Sequence, residues 1–162
     1  MEEQKCMIGP EHLELVFALI DEKVTIEEEH RKVKRCIMDV LNAPKGLVSI
    51  DVNDVRDLFQ EGGVIHAFDV SVDALMTNRM NLMMVEITRN STHLEPFNHA
   101  LVFFFFPKER PLMMEEMKPF SEWIETIPGD FLIKWGMATH SIPKIRAIVA
   151  LQYTTKKYGK KE

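Results

Sequence analysis

Asp51 and Asp54 stand three residues apart in the stretch G-L-V-S-I-D-V-N-D-V-R, which runs from Gly46 to Arg56. Val52, Val55, Leu58 and Phe59 follow at helical spacing, so both carboxylates fall at the start of a helix. Asp51 occupies the N-cap position, worth about 1 kcal/mol, and Asp54 sets a negative charge against the positive helix end, worth ~0.3 to 1 kcal/mol. Carboxylates held in this way are also fixed anionic acceptors that another molecule can meet. The two roles are compatible.

A second set of residues invites metal or hydrolytic chemistry. His66 and His140, with Asp69 or Asp73, could be imagined as a small hydrolase site. Their spacing matches no ligand motif, and a solvated or core-edge histidine is the commoner outcome. Cys6 and Cys36 form no C-x-x-C pair, which predicts reduced structural thiols. No metal site and no cofactor are expected. The eleven methionines, among them Met83-Met84 and Met113-Met114, could mark an adaptable binding surface, but their helical spacing predicts core filling. Trp123 and Trp135 are read as core or core-edge. Lys156, Lys157, Lys160 and Lys161 make a basic tail, read as solvated and mobile.

The elements that must position Asp51 and Asp54 follow from periodicity. A short helix is predicted over Glu11 to Ile20, inside a lead-in of residues 1–24. Thr25 and Glu28 read as a capping box for a helix with Ile26, Val33, Cys36, Ile37, Val40 and Leu41 on one face, stopped at Asn42-Ala43-Pro44. The Asp51 helix ends at Gly62-Gly63. Val64 to Val72 alternates as a strand with one face in the core, and Met76, Met80, Met83 and Ile87 form a helical stripe capped by Asp73, with a strand as the alternative for its M-M-V-E-I-T end. His99 to Phe106 contains L-V-F-F-F-F, a run suited to a central strand buried on both faces. Met113, Met117, Phe120, Ile124 and Ile127 predict a further helix, which Pro119 either kinks or allows to start only near Lys118. The runs F-L-I-K-W-G-M-A and I-R-A-I-V-A-L-Q-Y are two final strands, joined by a connection long enough for a hairpin.

At 162 residues the chain suits one domain, with residues 25–153 as its body and 154–162 as the tail. The expected fold is α/β (α+β): a four-stranded mixed sheet with helices packed against it, preceded by a core-type helix. The net charge of -5 argues against broad attraction to nucleic acid. The N-terminal M-E-E-Q-K-C has no basic segment followed by an apolar run, and no apolar stretch approaches the ~18 residues of a membrane span. A cytoplasmic location is expected.

The element order and the Gly46 to Arg56 stretch resemble the C-terminal domain of FtsZ, the bacterial tubulin-like division protein. In that family the core helix ends in a Pro-Gly turn, followed by a pattern like G-L-x-N-x-D-x-x-D-V-R, the synergy loop. Gly46, Leu47, Ser49, Asp51, Asp54, Val55 and Arg56 take the corresponding places, with Ser49 where the family has asparagine. The resemblance covers about residues 25 to 153, and the loop carries most of its specificity.

In FtsZ filaments the synergy loop of one subunit reaches the nucleotide bound to the next, and its acidic residues help to position the attacking water. The resemblance therefore implies that Gly46, Leu47, Ser49, Asp51, Asp54 and Arg56 contact an FtsZ-like or tubulin-like partner, with Asp51 and Asp54 acting in trans. The chain contains no G-G-G-T-G-T-G phosphate loop, so by itself it is expected neither to bind nor to hydrolyse GTP; any GTP would belong to the partner. A module with one polymerising face would cap or modulate filaments in cell division. Two alternatives share the scaffold: a ligand-binding or regulatory α/β domain with a pocket between the sheet and the Met-rich helix, and a fragment or degenerate relative of FtsZ.

Overall fold

The computed structural model describes residues 10–24, 26–44, 48–59, 64–91, 97–127 and 132–153. Among these residues ten elements follow in order: α1 (Pro10–Lys23), α2 (Glu27–Leu41), α3 (Val52–Phe59), β1 (Val64–Asp73), α4 (Arg79–Ser91), β2 (His99–Pro107), a 3-10 turn (Met114–Met117), α5 (Lys118–Glu125), β3 (Leu132–His140) and β4 (Lys144–Tyr153). The strands form one four-stranded sheet in the order β1-β4-β2-β3. β4 runs antiparallel to both β1 and β2, and β2 runs parallel to β3. This is the mixed sheet expected from the sequence.

β2 is the central buried strand because both of its faces are apolar. Leu101, Phe103 and Phe105 join Ile148 and Ala150 of β4 in a core roofed by α1, α2 and α3. Ala100, Val102, Phe104 and Phe106 point into a second core with α4 and α5. Helices therefore cover both faces, as a strand with no polar side requires. On the first face α2 packs on β1 and β4, α3 packs on β2 and β3, and α1 lies against α2 and α3.

Several expectations are corrected. The last two strands form no hairpin: β2 lies between β3 and β4 and pairs with each, because its doubly apolar faces are best buried inside the sheet. Ile26 stands at the N-cap of α2 without a side-chain cap and is exposed, not part of the apolar face; Thr25, the other end of the expected capping box, lies outside the described residues. β1 extends through Asp73, whose Oδ1 accepts the Leu75 N–H at 2.9 Å in a turn, so α4 begins only at Arg79 and Met76 is exposed. β1 also uses both faces, with Ile65 and Ala67 in the first core and Phe68, Val70 and Val72 partly packed on the second.

The proline constraint decides the start of α5. The helix begins at Lys118 with Pro119 in its first turn, where no backbone N–H is needed. Met117, Phe120 and Trp123 are buried, while Met113 stays exposed ahead of the 3-10 turn.

Candidate functional site

The segment 48–51 is held against the free edge of β3. Val48 makes an isolated antiparallel bridge to Met137, whose N–H donates to the Val48 carbonyl oxygen at 2.9 Å. Gly136 makes this approach possible, since a Cβ there would stand 2.7 Å from that oxygen and 2.6 Å from Phe103 Cε1. Ile50 then turns into the first core, and so does Val55. These are the positions before the N-cap and one turn into the helix, the pair that fixes the angle at which a chain enters a helix.

With the entry fixed, Asp51 and Asp54 cap each other's backbone. The Asp54 N–H donates to Asp51 Oδ1 at 3.0 Å, and the Asp51 N–H donates to Asp54 Oδ2 at 3.0 Å. This is a reciprocal capping box with aspartate, in place of the usual glutamate or glutamine, at its third helical position. The first-turn role expected for Asp54 is thus more specific than a charge near a helix end. On the other side, Lys134 of β3 donates from Nζ to Asp54 Oδ1 at 3.0 Å.

Partial burial by itself would push the Asp54 carboxyl up. The hydrogen bond from the Asp51 backbone and the Lys134 ammonium outweigh that and hold it below the ordinary carboxylate value. Asp54 is therefore an ionised, half-buried carboxylate, whereas Asp51 is exposed.

Of the other residues assigned to the loop, Ser49 is exposed and Arg56 is half-buried, with Nε 3.9 Å from Asp57 Oδ1. Gly46 and Leu47 lie outside the described residues. The structure thus brings Ser49, Asp51 and Asp54 to the N-terminal end of α3, while Arg56 stands in its last turn. Lys134 and Gly136 are the site residues that sequence reasoning missed. Their alternation within F-L-I-K-W-G placed them on one face of a strand, but nothing local joined Lys134 to a residue 80 positions away.

The rival sites are not assembled. His66 lies beside Glu29, with Nε2 3.7 Å from Oε1, while Asp69 accepts from Arg146 Nε at 3.0 Å. His140 stacks on Phe105 with ring centroids 5.6 Å apart, and its Nε2 is 2.7 Å from the Lys144 carbonyl oxygen. Among the described residues, no group of three or more His, Cys, Asp or Glu side chains is placed to hold a metal ion. The space between the sheet and α4 is filled by Met80, Met83 and Ile87. A groove of about 570 Å³ lies instead between α4 and α5, bordered by Met84, Val85, Pro119 and Trp123. No helix among the described residues is long and apolar enough to cross a membrane.

No protein-family model matches the chain, and no curated protein matches it in sequence. Solved structures do. A mutant FtsZ of M. jannaschii is similar over 80% of this chain with a TM-score of 0.58 and 16% identity. TubZ of Bacillus thuringiensis serovar israelensis, in a GTPγS-form protofilament, is similar over 90% with a TM-score of 0.61 and 11% identity. CetZ2 of Haloferax volcanii, also in a GTPγS-bound protofilament, is similar over 82% with a TM-score of 0.54 and 12% identity. The chain spans about 40% of the length of each. It has the fold of the C-terminal domain of FtsZ and its tubulin-like relatives.

Proposed function

We propose that this chain is an FtsZ C-terminal-like interaction module that meets the nucleotide face of an FtsZ-like or tubulin-like partner through the segment from Gly46 to Arg56. The observation that carries the reading is the pair Asp51 and Asp54, fixed in a reciprocal box at an end of α3 that is itself tied to the sheet edge by the Val48 to Met137 bridge. A partner's nucleotide site gains from acceptors whose geometry is set before contact, since no ordering cost remains at the moment of docking. That the fold recurs in proteins solved as protofilaments supports the class of partner.

In this role the chain is not itself a hydrolase. GTP is held by the partner, and the module adds carboxylate charge from outside. By occupying the nucleotide face that a further subunit would otherwise meet, the module caps or modulates polymer.

The test is sedimentation of a purified FtsZ-like or tubulin-like protein, assembled with GTP, in the presence and absence of this chain, with GTP turnover followed in parallel. The expected result is co-sedimentation and a change in polymer mass or turnover at less than equimolar chain. Absence of both would remove the proposal.

A further inference from the structure

The two carboxylates of the box are not equivalent. Both oxygens of Asp54 are occupied: Oδ2 accepts the Asp51 N–H and Oδ1 accepts Lys134 Nζ, each at 3.0 Å. Asp51 uses only Oδ1, for the Asp54 N–H, and its Oδ2 has no partner among the described residues. Asp51 is also the exposed member of the pair, and Ser49 beside it is exposed as well.

We propose that Lys134 is a positioning residue that divides the work of the loop, fixing Asp54 as the anchored half of the box and leaving Asp51 as the one carboxylate presented to a partner. The inference rests on the proposed contact with a partner's nucleotide site. A carboxylate held by both an ammonium and a backbone N–H has two of its roughly four acceptor sites taken and its charge offset, so it has less capacity than Asp51 to orient a water or meet a cation. Asp51 keeps that capacity, and its orientation comes from the box it shares with Asp54. Lys134 reaches the box from β3, the strand that also holds Val48, so one sheet edge sets both the entry of the segment and the aim of its outer carboxylate.

Chemically, the presented group is a single fixed acceptor. It suits a polarised water, an ammonium or a guanidinium on the partner.

Two measurements test this. In the chain alone, hydrogen exchange of the Asp51 amide reads the box directly. Lys134→Met should speed that exchange several-fold, and Lys134→Arg, which keeps a cation, should restore it. Unchanged exchange in Lys134→Met overturns the positioning role whatever the partner does. In the partner assay, Asp51→Asn should reduce the effect on GTP turnover at least tenfold, with Lys134→Met intermediate and Lys134→Arg close to wild type. If Asp54→Asn abolishes the effect while Asp51→Asn preserves it, Asp54 is the presented group and the division is wrong. A wild-type chain without effect on turnover refutes the proposed function, and the exchange result then still decides whether Lys134 holds the box.

Discussion

Gly136 and Val48 approach so closely that a Cβ on Gly136 would stand 2.7 Å from the Val48 carbonyl oxygen. Backbone occupies one side of that contact and the ring of Phe103 the other, so neither neighbour is a loose side-chain end. Gly136→Ala should therefore act as overpacking and destabilise the chain by about 1 to 3 kcal/mol, measured by urea unfolding. Because the clash falls on the Val48 bridge, the Met137 amide should also lose protection from exchange. Wild-type stability and exchange in this variant would show that the approach is not required.

The reciprocal box makes a prediction about Asp51 that needs no partner. Asparagine caps about as well as aspartate, so Asp51→Asn should leave the unfolding midpoint nearly unchanged, whereas Asp51→Ala should cost about 0.5 to 2 kcal/mol. The pair separates capping from presentation: an Asp51→Asn chain of wild-type stability that has lost its effect on a partner's GTPase cannot be explained by the cap.

A second cluster, around Arg79, bears on stability. Arg79 is buried, and its guanidinium donates to both oxygens of Glu116 at 2.8 Å and to the carbonyls of Ala74, Arg110 and Pro111 at 3.0, 3.1 and 2.8 Å. It ties the turn before α4 to the connection before α5. Removing it leaves Glu116 and three carbonyls short of donors, so Arg79→Met should cost on the order of 3 to 5 kcal/mol in chemical denaturation. A loss below 1 kcal/mol would show that water replaces these bonds readily.

The same pair sets a pH dependence. The hydrogen bonds from Arg79 hold the Glu116 carboxyl below its ordinary value, against a smaller upward push from burial. A carboxyl with a depressed folded-state value contributes stability that is complete above its unfolded value of 4.5 and is lost as pH falls through the folded one. Unfolding free energy of the wild type should thus fall below about pH 4.5 more steeply than that of Glu116→Gln, in a titration of urea midpoints between pH 7 and 3. Parallel curves would contradict the assignment.

Cys36 is fully buried, and burial, aided by the charge of Asp69, pushes its thiol up to about 11. The thiolate is the reactive form, so roughly one molecule in a thousand carries it at pH 8. In a Cys6→Ser background the folded chain should resist an aromatic disulfide reagent at that pH and react fully once unfolded in urea. Rapid labelling of the folded chain would place Cys36 at the surface.

Local patterns made much of this molecule legible. The L-V-F-F-F-F run announced a strand buried on both faces, Pro119 announced where α5 begins, and Asp51 announced a helix start, because each depends on residues within one turn or one strand of itself. The hairpin expected for β3 and β4 failed for the complementary reason. Both strands gain more by flanking β2 than by pairing with each other, and that comparison involves a strand more than twenty residues upstream of β3.

The sequence by itself determined that two carboxylates would stand at the head of a short helix behind a core helix, in a fold of four strands with helices packed on them. Spacing and capping preference are properties of the local chain, and they need no neighbour to be read. Only the tertiary structure decided that the two are unequal. Lys134 lies 80 residues from Asp54 along the chain and 3.0 Å from it in space, and Gly136 lets Val48 close onto the same strand. The contact that separates an anchored aspartate from a presented one exists because α3 packs across β2 and β3, a choice set by how the whole apolar surface is buried.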